Sequence, residues 1–201
     1  AGELEDAKEE VRKNPDDAVA HYNLGDAYRK LGRYEEAIEP YKQAIRIDPD
    51  YAKAHYNLGN AYDELGKYKE AIESYKQAIR IDPDCVDAHF KLGNAYNKLG
   101  KHEEAIVSYK QAIRIDPDDA DAHFNLGIAY NMPMVNDRGS GITYNIPIVN
   151  DRGSGITYLM PMVNDRGSAI INDRDSALDQ YKILKKLDTE LANKLFDEIN
   201  K

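Results

Sequence analysis

Four histidines, His21, His55, His89 and His123, recur every 34 residues, a spacing that first suggests a metal ladder. Ligands to one zinc ion must each lie about 2 Å from it, whereas packed helices stand about 8–10 Å apart. Histidines repeated evenly on separate elements therefore do not share an ion. His102-Glu103-Glu104 lacks the second histidine of a zinc-protease helix. Cys85, the single cysteine, follows Pro83-Asp84 in what reads as a turn, and the periodicity supplies no base to activate it. Arg-Gly-Ser-Gly, at 138–141 and again at 152–155, could wrap an anion in backbone amides. It lacks a P-loop lysine and precedes an alternating segment rather than a helix, so turn chemistry is the simpler use. No catalytic group, metal or cofactor is expected, and the chain reads as a non-enzyme.

The elements behind these residues are repeats. Pro15, Pro49, Pro83 and Pro117 stand in one Pro-Asp step with a period of 34. In the second copy Ala54, Leu58, Ala61 and Tyr62 follow helical spacing, Gly66 breaks it, and Tyr68, Ala71, Ile72, Tyr75, Ala78 and Ile79 form a second apolar stripe. Each copy therefore predicts two helices, closed by a proline that suits the start of the next. The charge balance, 27 basic against 36 acidic side chains, argues against nucleic acid or an anionic membrane as partner. AGELEDAKEE is acidic where a leader would be basic and then apolar, and no apolar run approaches the roughly 18 residues of a membrane span, so a soluble, cytoplasmic protein is expected.

With this period, its Leu-Gly and Ala-Tyr pairs on the first helix and its Ala and Pro on and after the second, the stretch 15–131 resembles the tetratricopeptide repeat (TPR). The resemblance implies an all-α solenoid of helix pairs that binds proteins or peptides. It also assigns the histidines, and His102, to sites of packing aromatics. YKQAIRIDPD occurs three times, as it would in a consensus-designed array. Residues 1–14, with Leu4, Ala7 and Val11, read as a capping helix. Residues 176–201 read as the second helix of the fourth repeat, through Ala177, Tyr181 and Leu184, then a cap carrying Leu191, Leu195 and Ile199.

Residues 132–175 interrupt that fourth repeat. Tyr130 and Ala177 are 47 residues apart where Tyr62 and Ala71 are 9 apart, an insertion of 38 with its own period of 14 at Asn136, Asn150 and Asn164. Ile142, Tyr144, Ile146 and Ile148, then Ile156, Tyr158, Met160 and Met162, fall at period two. They predict a β-hairpin or meander with one apolar face, against the alternative of an irregular loop. Pro147 and Pro161 restrict such strands to edges. That face is a candidate for self-association into homo-oligomers.

For binding, the family's first helices line the concave face. Tyr22, Tyr56, Phe90 and Phe124 form one column there, Asn23, Asn57, Lys91 and Asn125 a second, beside Asp26, Asn60, Asn94 and Ile128. Carboxamides and aromatics suit an extended peptide, and they equally suit solubility and neighbour contacts. The family's two-carboxylate clamp is not matched, because Tyr22, Asp26, Asn57, Asp87 and Lys91 stand in its places and two of these are acids. The groove resembles the asparagine-ladder type instead, interrupted at Lys91.

Overall fold

The computed structural model of the chain describes residues 2–131 and 174–200, which form ten helices and, among the described residues, no strand. They fall into two compact units, Ala1–Leu99 and Gly100–Lys201. The β-hairpin or meander expected of residues 132–175, with its apolar face from Ile142 to Met162, lies outside the described residues.

The first unit holds α1 (Gly2–Lys13), α2 (Ala18–Lys30), α3 (Tyr34–Ile47), α4 (Ala52–Glu64), α5 (Tyr68–Ile81) and α6 (Val86–Lys98). Consecutive helices pack on one another, with α1 covering α2, and α4 touches both α2 and α6. Gly32 and Gly66 end the first helices with φ of 70° and 71°, in the left-handed region that favours glycine. There Arg33 N–H donates to Tyr28 O at 3.0 Å and Lys67 N–H to Tyr62 O at 2.9 Å, satisfying carbonyls that the helix ends leave bare.

Glycine has a second task inside the helices. The Tyr41 ring lies over Gly25 and the Tyr75 ring over Gly59, each so close that a Cβ on the glycine would stand 2.6 Å from a ring carbon. Both tyrosines are 0 % exposed. Ala37, Ile38, Leu58 and Ala61 pack around Tyr41, and Ala71, Ile72, Leu92 and Ala95 around Tyr75. Pro40 sits inside α3, where the sister helix has Ser74, whose Oγ donates to Glu70 O at 3.0 Å. Lys98 places its ammonium 3.0 Å from both oxygens of Asp63 and 5.0 Å above the Tyr68 ring, tying one pair to the next.

The periodic histidines share one hydrogen bond. Nε2 of His21, His55 and His89 lies 2.8, 3.0 and 2.9 Å from the carbonyl oxygens of Pro15, Pro49 and Pro83. Each ring therefore ties its helix to the preceding turn through a carbonyl that a turn leaves available.

The second unit holds α7 (His102–Ile115), α8 (Ala120–Asn131), α9 (Arg174–Leu187) and α10 (Thr189–Ile199). Helix α7 packs on α8, α8 on α9, and α10 on both α8 and α9. So α9 pairs with α8 across residues 132–173. His102 is half-buried, and burial pushes its imidazole pKa down. Ala177 and Leu184 are fully buried, as their spacing predicts. Tyr181 is not the counterpart of Tyr75. Leu195 of α10 occupies the seat over Gly127, 2.5 Å from where a Cβ would stand, and Tyr181 packs on Phe196 with ring centroids 5.2 Å apart. The cap supplies the plug because α10 reaches α8 directly. His123 is held by Pro117 O at 2.9 Å from Nε2 and by Gln180 Oε1 at 2.6 Å from Nδ1, which pins α9 to α8.

Candidate functional site

Helices α2, α4 and α6 lie side by side in the first unit, so Tyr22, Tyr56 and Phe90 recur along one face, each half-buried. Tyr22 rests against Tyr41 and Tyr51, with centroids 5.9 and 5.1 Å away, and Tyr56 against Tyr75 at 5.9 Å. A cleft of about 430 Å³ opens here. Of the residues nominated from sequence, Tyr22, Tyr56 and Asn57 line it. Arg29, Lys53, Asp82, Cys85 and Asp87 join them.

The wall of the cleft is a directed hydrogen-bond chain. The Tyr75 hydroxyl donates to Asn60 Oδ1 at 2.9 Å, Asn60 Nδ2 to Asn57 Oδ1 at 3.4 Å, and Asn57 Nδ2 to the Tyr22 hydroxyl oxygen at 2.9 Å. Asn57 is only 8 % exposed, and its carboxamide makes two of the three bonds of this wall. Because the Tyr22 oxygen accepts, its own O–H is left to donate. In the first repeat Asp26 replaces the asparagine. It takes Arg29 Nε and Nη2 at 2.9 and 2.6 Å and Lys30 Nζ at 3.3 Å, while the Tyr41 hydroxyl is buried beside them.

Burial pushes the phenols of Tyr22 and Tyr56 up, with Asp26 adding to the first and Asp87 to the second. Burial also pushes the Cys85 thiol up, and the carboxylates of Asp82 and Asp87 reinforce it. Such a thiol stays protonated and is a poor nucleophile. Among the described residues no three His, Cys, Asp or Glu side chains converge as metal ligands, and no helix is long and apolar enough to cross a membrane.

The remaining candidates stand apart from the cleft. Asn23 is exposed on α2, and Phe90, Lys91 and Asn94 are half-buried on α6. In the second unit Phe124 is half-buried, and the Asn125 amide donates to Asp121 O at 2.9 Å. Sequence reasoning does not reach Lys53, and it reaches Asp87 only as an obstacle to a clamp. The available signal was that Val19, Lys53 and Asp87 hold one position in three otherwise similar copies.

A tetratricopeptide repeat model matches residues 7–39, and a TPR repeat model matches 25–66, 59–100 and 93–132. The chain belongs to the tetratricopeptide repeat family. The crystal structure of MamA superposes with a TM-score of 0.70 at 24 % identity, covering 94 % of this chain and 89 % of that one. YrrB, described as a TPR protein with an unusual peptide-binding site, gives 0.67 at 20 % identity over 98 % of this chain and 91 % of its own. These two likenesses establish the fold. The second TPR domain of the human RPAP3 protein, solved in complex with the HSP70 peptide SGPTIEEVD, gives 0.54 at 31 % identity over 56 % of this chain and 93 % of that one. No curated protein sequence matches the chain.

Proposed function

We propose that this TPR chain is a non-enzymatic interaction scaffold that binds an extended peptide across α2, α4 and α6. The observation that carries the reading is the cleft, where two half-buried tyrosines offer apolar area and the Tyr22 hydroxyl is directed to donate by the chain behind it. TPR neighbours that hold peptides, RPAP3 with its HSP70 peptide and YrrB with its peptide-binding site, support it. The near-identity of the copies supports a consensus-built origin. Peptides selected against the protein by display should lose at least tenfold in affinity on Tyr56→Ala, an aromatic contact of about 1.4 kcal/mol or more. Unchanged affinity across such a panel removes the cleft from the account.

Self-association through residues 132–175 is the alternative proposal. The period-two apolar set from Ile142 to Met162 favours it. A number of chains per particle, read from the molecular mass in solution, that is unchanged on deleting residues 134–171 eliminates it.

A further inference from the structure

Near-identical copies make their exceptions informative. YKQAIRI recurs letter for letter in the second helices at Tyr41, Tyr75 and Tyr109, as packing demands. Besides Ala18/Ala52/Val86, Tyr22/Tyr56/Phe90 and, at their ends, Arg29/Asp63/Asn97 and Lys30/Glu64/Lys98, the first helices differ at Val19/Lys53/Asp87, at Asn23/Asn57/Lys91 and at Asp26/Asn60/Asn94. The last three positions are four and three residues apart, which is one helix face. Of these, the set at Val19 changes most in chemistry, from apolar through cationic to anionic, and all three of its members are exposed.

Lys53 and Asp87 both line the cleft, and among the described residues neither forms an ion pair. Arg29, the other cation there, is already held by Asp26 at 2.6 Å. Asp82 stands at the Asp87 end, since both carboxylates act on the Cys85 thiol. The cleft therefore carries one uncompensated positive pole and one negative pole, a repeat apart. Among the described residues, four ion pairs elsewhere in this unit run between helices, as from Lys98 to Asp63 at 3.0 Å, and the others lie within one helix, as Lys76 with Glu73 at 3.2 Å. An unpaired lysine followed by an unpaired aspartate on the variable face is a pattern awaiting its complement.

We propose that the cleft selects a peptide that sets an acidic side chain over Lys53 and a basic one over Asp87, and that beyond the cleft, at the matching position of α2, an apolar residue lies toward the exposed Val19. This deepens the peptide reading above and rests on it. Helices in contact lie about 8–10 Å apart. A polyproline-II chain rises about 3.1 Å per residue with three residues per turn, so every third side chain returns to the same face about 9 Å on. The ligand pattern is thus apolar-x-x-acid-x-x-base, read in either chain direction.

The test uses the full chain and end-capped, fluorescently labelled heptapeptides in anisotropy titrations. VPAEPAK and its reversal KAPEAPV carry the predicted order, and VPAKPAE and EAPKAPV carry the exchanged one. An exposed ion pair shifts a binding constant about two- to fivefold, and exchange turns two attractions into two repulsions, so about tenfold is expected in favour of one predicted-order peptide over its exchanged partner. Lys53→Glu with Asp87→Lys, both at exposed positions, should invert that preference, and about 0.5 M salt should erase it. Equal binding of both orders, still lost on Tyr56→Ala, overturns the charge order and leaves the peptide reading standing. No binding by any of the four overturns both.

Discussion

Pro40→Ser should make the first unit more stable, although proline is the buried native residue. Pro40 is the seventh residue of α3, with no N–H to offer Glu36 O, and its ring crowds that carbonyl. Sister helices carry Ser74 and Ser108 at this place, each returning its Oγ to the carbonyl four residues back, at 3.0 and 2.8 Å. An interior proline costs about 3 kcal/mol relative to alanine and serine about 0.5 kcal/mol. Losing the apolar contact of the buried ring gives back about 1 kcal/mol. The net gain is therefore about 1.5 kcal/mol, felt mainly by α2, α3 and α4, because a repeat array sums local and nearest-neighbour terms. Urea unfolding followed by circular dichroism should show a later midpoint, and native-state hydrogen exchange should slow at the α3 amides. If the midpoint stays put and those amides exchange no more slowly, the copied serine is not the better local solution and the reasoning fails.

Gly59→Ala should destabilise by about 1–2 kcal/mol despite alanine's helix preference, because overpacking against a buried ring outweighs a propensity gain of about 1 kcal/mol. The Tyr75 ring carbon stands 2.6 Å from the added Cβ, and an unchanged urea midpoint would show the ring able to move. Burial pushes the phenols of Tyr41, Tyr75 and Tyr109 well above the ordinary range, with Asp26 adding at Tyr41 and Asp63 at Tyr75. The folded state then keeps protons that the unfolded chain releases above about pH 10, so stability holds below that pH and falls as pH rises past it. Phenolate absorbance and helical signal should change together there, and early titration of all the tyrosines with intact helix would contradict the burial. The peptide SGPTIEEVD should bind no better than its amidated form, since Asp26 and Asp87 stand in clamp positions. A calorimetric preference for the free carboxylate would refute that assignment.

The period of 34 and the Leu-Gly breaks were enough to place both helices of each copy, because those features act within a few residues. Gly32 ends α2 for a reason visible in its neighbours. Gly25 looks equally like a break, but it is a seat for Tyr41, which only the approach of α3 reveals. Tyr181 matched Tyr75 in sequence and lost its place to Leu195, because the outcome depended on where a separate helix lands. The hydrogen bond from Asn57 to Tyr22 is not legible in the sequence, since it joins residues 35 apart on two helices. Lys53 and Asp87 needed the cleft to connect them.

The plugged glycines also set an order of events during folding. Gly59 meets its plug, Tyr75, 16 residues downstream, whereas Gly127 waits for Leu195, 68 residues away. Residues 132–173 separate α8 from α9, where three residues separate the paired helices of sister repeats, so the contacts between α8 and α9 join parts of the chain much farther apart in sequence. An architecture otherwise built from neighbour-to-neighbour contacts thus acquires one step of high contact order. Within the second unit α7 and α8 can dock early, while α9 and α10 arrive late and together, their docking paced by chain search rather than by local zippering.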